Sequence, residues 1–250
     1  MLKNLALITI IQNGNQLFKI WYQYYSKLIA PQNIYIIDYN SSDGSVDGLN
    51  CNIIRNDEFQ IENVPQGNGL INRLKSELLK KYKYVAYTDY DEILYHPKGF
   101  DYLLSCDQEY YTTQGYEIVQ NRAVEQTINF EESILQQRKF WYRCLDYDKP
   151  LITKVDFKWA HGNHSAIIET KNNNIILQPK YFDYLILIHL HKVDYIHCLS
   201  LNQNNVAVRG QPVMGGNHNF LIGHEFEKWW QSFERYLSPI PAEILEKNII

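Results

Sequence analysis

The chain has 250 residues, with 24 Lys and Arg against 28 Asp and Glu for a net charge of −4, and 45% hydrophobic residues. That length suits a single α/β domain. The composition excludes a disordered or fibrous chain, and the slight acidity argues against a nucleic-acid binder, which would carry a basic face. Twenty Tyr, ten Phe and five Trp are a surplus that either stacks on bases and sugar rings or fills an aromatic-rich core.

Leu5 to Ile11 is a continuous apolar, β-branched run closed by Asn13-Gly14. It is too short to span a bilayer and no small-residue cleavage site follows, so it predicts a strand buried on both faces. From Gln16 to Ile29, Leu17, Ile20, Trp21, Tyr24, Tyr25 and Leu28 recur at helical spacing until Pro31. Asn33 to Asp38 reads as a second buried strand, Tyr39 to Gly48 as a polar loop, and Cys51 to Asn56 as a short strand. A helix is expected over Gly69 to Tyr82, and the segment Tyr82 to Leu94 reads as a strand that runs into acids. Beyond Glu109 the pattern turns to Tyr-rich strands at 109–119, 165–169, 174–177 and 184–190, read as an extension of the same sheet. A Gly/Asn/His loop near 210–219 and a helix over Glu225 to Leu237 close the chain, the helix ended by Pro239 and Pro241. Cys51, Cys106, Cys144 and Cys198 form no CxxC pair, which speaks against a structural zinc site or disulfide framework and for a cytoplasmic protein.

Strand, helix, strand, loop, strand, helix, strand describes a parallel α/β sheet with crossover helices, whose ligands sit beyond the carboxyl ends of the strands. Asp38 ends the second strand, and Asp89 and Asp91 end the fourth. Neither the glycine fingerprint of dinucleotide binders nor a Walker loop is present. Asp89, Asp91 and Glu92 place three carboxylates in four residues, an arrangement that repels itself and is relieved by a hard cation such as Mn²⁺ or Mg²⁺. In an extended chain Asp89 and Asp91 share one side and Tyr90 takes the other, so both carboxylates face one metal–diphosphate. An exposed acidic turn is the alternative.

The segments LALITIIQNG, IYIIDYNSSDGS and YVAYTDYDEIL resemble the nucleotide-binding half of GT-A glycosyltransferases, especially the family 2-like group. The resemblance covers residues 1–100 and thins through 100–190. It implies a GT-A fold, a Rossmann-like nucleotide-binding half (1–105) with a mixed central sheet, an acceptor-side half (106–210) continuous with it, and a C-terminal loop and helix (211–250). It places Asp38, Asn40, Asp43, Arg73 and Asp89 at the nucleotide and its diphosphate. Asp91 becomes the chief metal ligand, with Asp89 beside the ribose and metal. Glu92 is placed by a bend there or caps the following turn. The chain departs from the pattern in reading Asp38-Tyr39-Asn40 where members commonly have Asp-Asn, and in lacking an acidic pair where inverting members keep their general base.

Eight histidines complete the picture: His161 and His164 bracket one loop, and His189 and His191 alternate on a strand, which points both imidazoles to one face. GT-A enzymes frequently supply a late histidine to the metal; His189 is the preferred ligand here and His191 its alternate. His164, 25 residues before His189, stands where an inverting relative holds its base, with Asp156 and Asp148 as competitors. Lys154 and Lys158 either reach phosphate or line an exposed strand, and Arg209 with the loop after it would form a lid. Trp141, Trp159, Trp229 and Trp230 either stack on acceptor sugars or pack inside.

The expected function is metal-dependent transfer of a sugar from a nucleoside-diphosphate sugar to a saccharide or other hydroxyl acceptor, with no nucleic-acid partner and no transmembrane segment. The rival readings are a metal-dependent hydrolase built on the His and Asp clusters, disfavoured by the lack of HExxH, and a silent nucleotide-sugar-binding protein. A nucleotidyltransferase would want a Gly-rich, Lys-ending loop after the first strand, which the chain lacks.

Overall fold

The computed structural model describes residues 4–14, 16–55, 64–160, 163–170, 173–209, 217–247 and 249–250, without the side chains of 64–67, 208–209 and 217–218. His161, the side chains of Arg209 and His218, and the 210–216 loop read as a lid lie outside this set. Along the chain run β1 (Leu5–Ile11), α1 (Gln16–Leu28), β2 (Ile34–Asp38), β3 (Asn52–Arg55), α2 (Val64–Leu78), β4 (Tyr84–Tyr87) and β5 (Glu92–Tyr95). Next come α3 (Gly99–Ser105), β6 (Tyr110–Ile118), α4 (Ile134–Gln137), β7 (Phe140–Arg143), β8 (Ile152–Thr153), β9 (Lys158–Ala160), β10 (Ser165–Glu169) and β11 (Asn174–Ile176). The last are β12 (Tyr181–His189), α5 (Tyr195–Arg209), α6 (Gly223–Glu234), β13 (Ser238–Pro239) and α7 (Ala242–Leu245). Two compact units emerge, Met1–Gly115 with Cys144–Ile188, and Tyr116–Arg143 with His189–Ile250.

The first unit is a mixed α/β sheet of the kind expected. Strands β3, β2, β1 and β4 lie side by side and parallel, and β8 and then β6 add antiparallel beyond β4. The parallel strands are apolar because both of their faces are covered: all of β1 but Ile10 is buried. The order 3-2-1-4 makes the connections reverse direction between β1 and β4, the kind of switch point at which α/β sheets place ligands past the carboxyl ends. Asp38 ends β2 opposite Ile11, and Ile8 of β1 pairs with Tyr87 at the end of β4.

The aromatic surplus is used largely as core. Helix α1 buries Leu17, Phe18, Trp21, Tyr24 and Tyr25. Its polar handles tie down the segment after β4: Trp21 Nε1 donates to Thr88 Oγ1 at 2.8 Å, Tyr24 donates to the Leu94 carbonyl at 2.6 Å, and the Leu94 N–H donates to Tyr25 at 2.8 Å. That segment differs from the single strand expected over Tyr82 to Leu94. The chain leaves the ladder after Tyr87, turns at Tyr90 and Asp91 with the Glu92 N–H bonded to the Asp89 carbonyl at 3.0 Å, and re-enters as β5. Alternation therefore does not place Asp89 and Asp91 on one side, because the backbone between them is a turn. A second departure concerns β10 and β11, which join β9 in a separate antiparallel three-stranded sheet instead of extending the main one. Their residues beyond Ile167 are exposed among the described residues.

In the second unit the Tyr116–Ile118 end of β6 pairs antiparallel with β7, and β7 with β13. Val119, Cys198, Phe226 and Trp230 form its buried core, surrounded by Tyr142, Tyr195, Leu199, Trp229 and Phe233. Trp141, Trp159 and Trp230 are buried, the packing alternative for them. Among the described residues no helix is long and apolar enough to cross a membrane.

Candidate functional site

The polar groups of the first unit gather at the carboxyl edge of its parallel strands. Asp38 is fully buried there. Its Oδ1 accepts the Ser41 N–H at 2.9 Å, whereas Oδ2 has no hydrogen-bond partner among the described residues. The Arg55 guanidinium stands 3.9 Å from that oxygen and is itself mostly exposed. Thr9 Oγ1, on β1, is a second buried oxygen in the same condition. Buried polar atoms without partners are rare, since each costs about 1–3 kcal/mol.

The loops after β1 and β2 are stapled to each other. Asn13 and Asn40 adopt left-handed backbone at φ 53°, which Asn tolerates. Ser42 N–H donates to Asn13 Oδ1 at 2.8 Å, and Asn13 N–H to Ser41 Oγ at 2.9 Å. Gly14 N–H reaches Ser45 Oγ at 3.2 Å, and Asp43 Oδ1 accepts the Ser45 N–H at 3.0 Å. A Cβ at Gly14 would lie 2.1 Å from Ile11 Cδ1 and 2.8 Å from Phe18 Cβ, so only glycine lets this loop approach α1. Between them opens a cleft of about 560 Å³ lined by Gly14, Lys19, Tyr22, Asp43, Ser45 and Leu49 among others. Of the expected nucleotide residues, Asp43 lines this cleft, Asn40 shapes its loop, and Arg73 is exposed on α2.

The acidic turn carries a countercharge that local spacing does not reveal. Lys149 is buried and its Nζ lies 2.5 Å from Glu92 Oε1 and 3.2 Å from Asp89 Oδ2. Burial alone would lower its pKa, but the carboxylates of Glu92 and Asp89 outweigh that and hold it above the usual lysine range. Glu92 also closes the turn, its Oε2 accepting the Asp89 N–H at 3.0 Å. Tyr87 donates to Asp89 Oδ1 at 2.5 Å; burial first and Asp89 second keep that phenol protonated. The repulsion among three carboxylates is therefore relieved in part by an ammonium 57 residues from Glu92.

His164 Nδ1 bonds the Asp146 carbonyl. A carbonyl only accepts, so Nδ1 carries the proton and Nε2 keeps the basic lone pair. Partial burial of the ring and the Lys149 charge lower its pKa, with Asp89 opposing. The competitor Asp156 is half-exposed and engaged by Lys75 at 2.9 Å and Ser76 at 2.8 Å, contacts that outweigh burial and lower its pKa, which makes it the weaker base. Asp148 accepts from the Gly115 N–H at 2.9 Å and from Tyr181 at 2.9 Å. Lys154 and Lys158 pair with Asp107 and Glu169 at the surface.

The second unit holds the late histidines. His189 Nδ1 lies 2.9 Å from Glu117 Oε2, and Glu117 also accepts from Lys192 Nζ at 2.7 Å and from the Lys192 N–H at 3.1 Å. Glu117 is fully buried, which would raise its pKa, yet His189, Lys192 and His191 hold it well below the carboxylate range. The His189 and His191 rings stack with centroids 5.9 Å apart. Asp89 and Asp91 thus belong to one unit and His189 and His191 to the other. Among the described residues no group of three or more His, Cys, Asp or Glu is spaced to hold a metal ion. With Asp89 bonded by Tyr87 and Lys149, these side chains do not fit a preformed, protein-held divalent site.

No protein-family model matches the chain, and no curated protein matches it. Among solved structures it is similar to the mannose-1-phosphate geranyltransferase from Thermus thermophilus, at 8% identity and a TM-score of 0.34 over 99% of this chain and 67% of that one. It is also similar to a CMP:2-keto-3-deoxy-manno-octonic acid synthetase complexed with CTP, at 8% identity and a TM-score of 0.34 over 99% of this chain and 97% of that one. Likeness at that level carries no argument about chemistry. The mixed α/β assignment rests on the strand order of the chain itself.

Proposed function

We propose that the chain is a GT-A-type glycosyltransferase of the family 2-like kind, which binds a nucleoside-diphosphate sugar at the carboxyl edge of β1, β2 and β4 and transfers the sugar to a saccharide or other hydroxyl acceptor. The observation that carries this reading is the buried Asp38 carboxylate at the end of β2, with one oxygen bonded to its own loop and the other, 3.9 Å from the Arg55 guanidinium, without a hydrogen-bond partner among the described residues. A ribose hydroxyl or a base N–H is the donor that would satisfy it. The cleft bounded by Gly14, Asp43 and Ser45 is large enough to take a nucleoside, since small-ligand pockets run to roughly 300–1,000 Å³. In this reading His164, with its basic Nε2, takes the proton from the acceptor hydroxyl, and Asp89 orients the donor beside Lys149. A Mn²⁺ or Mg²⁺ ion brought in with the donor would supply positive charge for the leaving diphosphate, with Asp89 and Asp91 as the carboxylates that would meet it.

The test is thermal-shift binding of UDP, GDP, dTDP and CMP, each with and without Mn²⁺, to the wild-type chain and to Asp38→Asn. A true ligand at about 100 times its Kd adds about 2.7 kcal/mol of stability. The expected result is one nucleotide that stabilises the wild type and no longer stabilises Asp38→Asn. No response to any nucleotide overturns the reading, and an unchanged response in Asp38→Asn removes the assigned site.

A further inference from the structure

The second unit carries a cleft that the nucleotide reading does not use. It has a volume of about 470 Å³ and is lined by Tyr142, Arg143, Ser232, Phe233 and Tyr236. Its walls are prearranged aromatic rings. Tyr142 and Phe233 stack with centroids 5.3 Å apart and planes 13° apart. The Lys192 ammonium stands 4.6 Å from the centre of the Phe233 ring and is held from behind by buried Glu117 at 2.7 Å. Beside them, Arg143 lies 5.5 Å from the Tyr116 ring centre, and Tyr116 stacks on Trp141 at 4.2 Å. Polar atoms complete the lining. Ser232 donates to the Trp229 carbonyl at 2.6 Å, which leaves its oxygen lone pairs to accept. Tyr236 is 70% exposed, an aromatic ring that the core does not claim.

We propose that this cleft binds a saccharide. A sugar ring has apolar C–H faces and a perimeter of hydroxyls that both donate and accept. Its recognition needs flat aromatic surface together with a few mixed donors and acceptors, which Tyr142, Tyr236, Ser232 and Arg143 supply. A polyanion would call for several cations, and the lining has one guanidinium. The inference goes beyond the nucleotide reading and does not depend on it.

Saturation-transfer NMR tests it with glucose, galactose, N-acetylglucosamine, lactose and maltose, and with uracil and benzoate as flat non-sugar probes. Tyr236→Ala and Arg143→Gln change exposed side chains, and circular dichroism confirms that each variant folds. The expected result is transfer to the C–H protons of at least one sugar, with affinity about tenfold weaker in each variant. Three results would overturn the proposal: no transfer to any sugar, sugar binding unchanged in both variants, or uracil or benzoate binding tighter than every sugar. Nucleotide thermal shifts run on the same two variants report separately on the first unit.

Discussion

Each unit buries a lysine against carboxylate, with a different charge balance. In the first, Lys149 serves both Glu92 and Asp89, so the cluster keeps a surplus negative charge. Asp89 remains 41% exposed, able to meet a ligand. In the second, Glu117 is saturated by Lys192 Nζ, the Lys192 N–H and His189 Nδ1. Three donors engage its carboxylate, which fixes the positions of Lys192 and His189 around it. The comparison separates two uses of a buried ion network. A surplus of carboxylate at a strand end leaves an acceptor for chemistry, whereas a surplus of donors on one carboxylate fixes the orientation of neighbours.

The largest expected effect is kinetic and belongs to the first network, whose charges bear on His164. His164→Ala should lower the transfer rate by roughly 10²–10⁴-fold with donor binding nearly unchanged, read by initial rates against donor concentration. Because its pKa lies below the ordinary 6.5, the imidazole stays neutral down past that value, so the acid limb of the rate profile should fall below pH 6.5. An acid limb above pH 6.5, or a larger loss in Asp156→Asn, would pass the role of base elsewhere.

Next comes the stability of the first cluster. Lys149→Met leaves Glu92, which is 0% exposed, without its cation, at a cost of about 3–5 kcal/mol in urea unfolding. Adding Glu92→Gln to that variant should recover part of the loss, since the buried charge is then gone. A single variant as stable as wild type would break the comparison at its first term.

Glu117→Gln tests the other half. It strands the buried Lys192 ammonium and should cost about 3 kcal/mol. The folded pKa of Glu117 is depressed below its ordinary 4.5, so its contribution is fully present above that pH and is lost as pH falls below it. The stability of Glu117→Gln should therefore decline less steeply than wild type between pH 4.5 and acid unfolding. Smallest of all is Asp156→Asn. It removes the partner of Lys75, but Asp156 is 56% exposed and solvent screens the pair, so about 1 kcal/mol is expected by thermal unfolding.

Local pattern alone was enough for the first elements of the chain. The apolar run of β1, the aromatic stripe of α1 and the end of β2 at Asp38 are set by periodicity and by Pro31 and Gly punctuation, which act over a few residues. The pairing of Asp38 with the carboxyl edge followed from the order of strands and helices. What the sequence could not show depends on contacts between distant residues. Lys149 meets Glu92 across 57 positions and Glu117 meets His189 across 72, and no spacing rule connects such pairs. Two- and three-residue strands such as β8 and β9 are too short to display alternation, and they exist because a neighbouring edge supplies their hydrogen bonds. The acids after β4 were legible as a cluster from sequence. Their turn, their buried ammonium and the division of carboxylates and histidines between two units were decided by tertiary packing, because only packing chooses which charges are removed from water and must find one another.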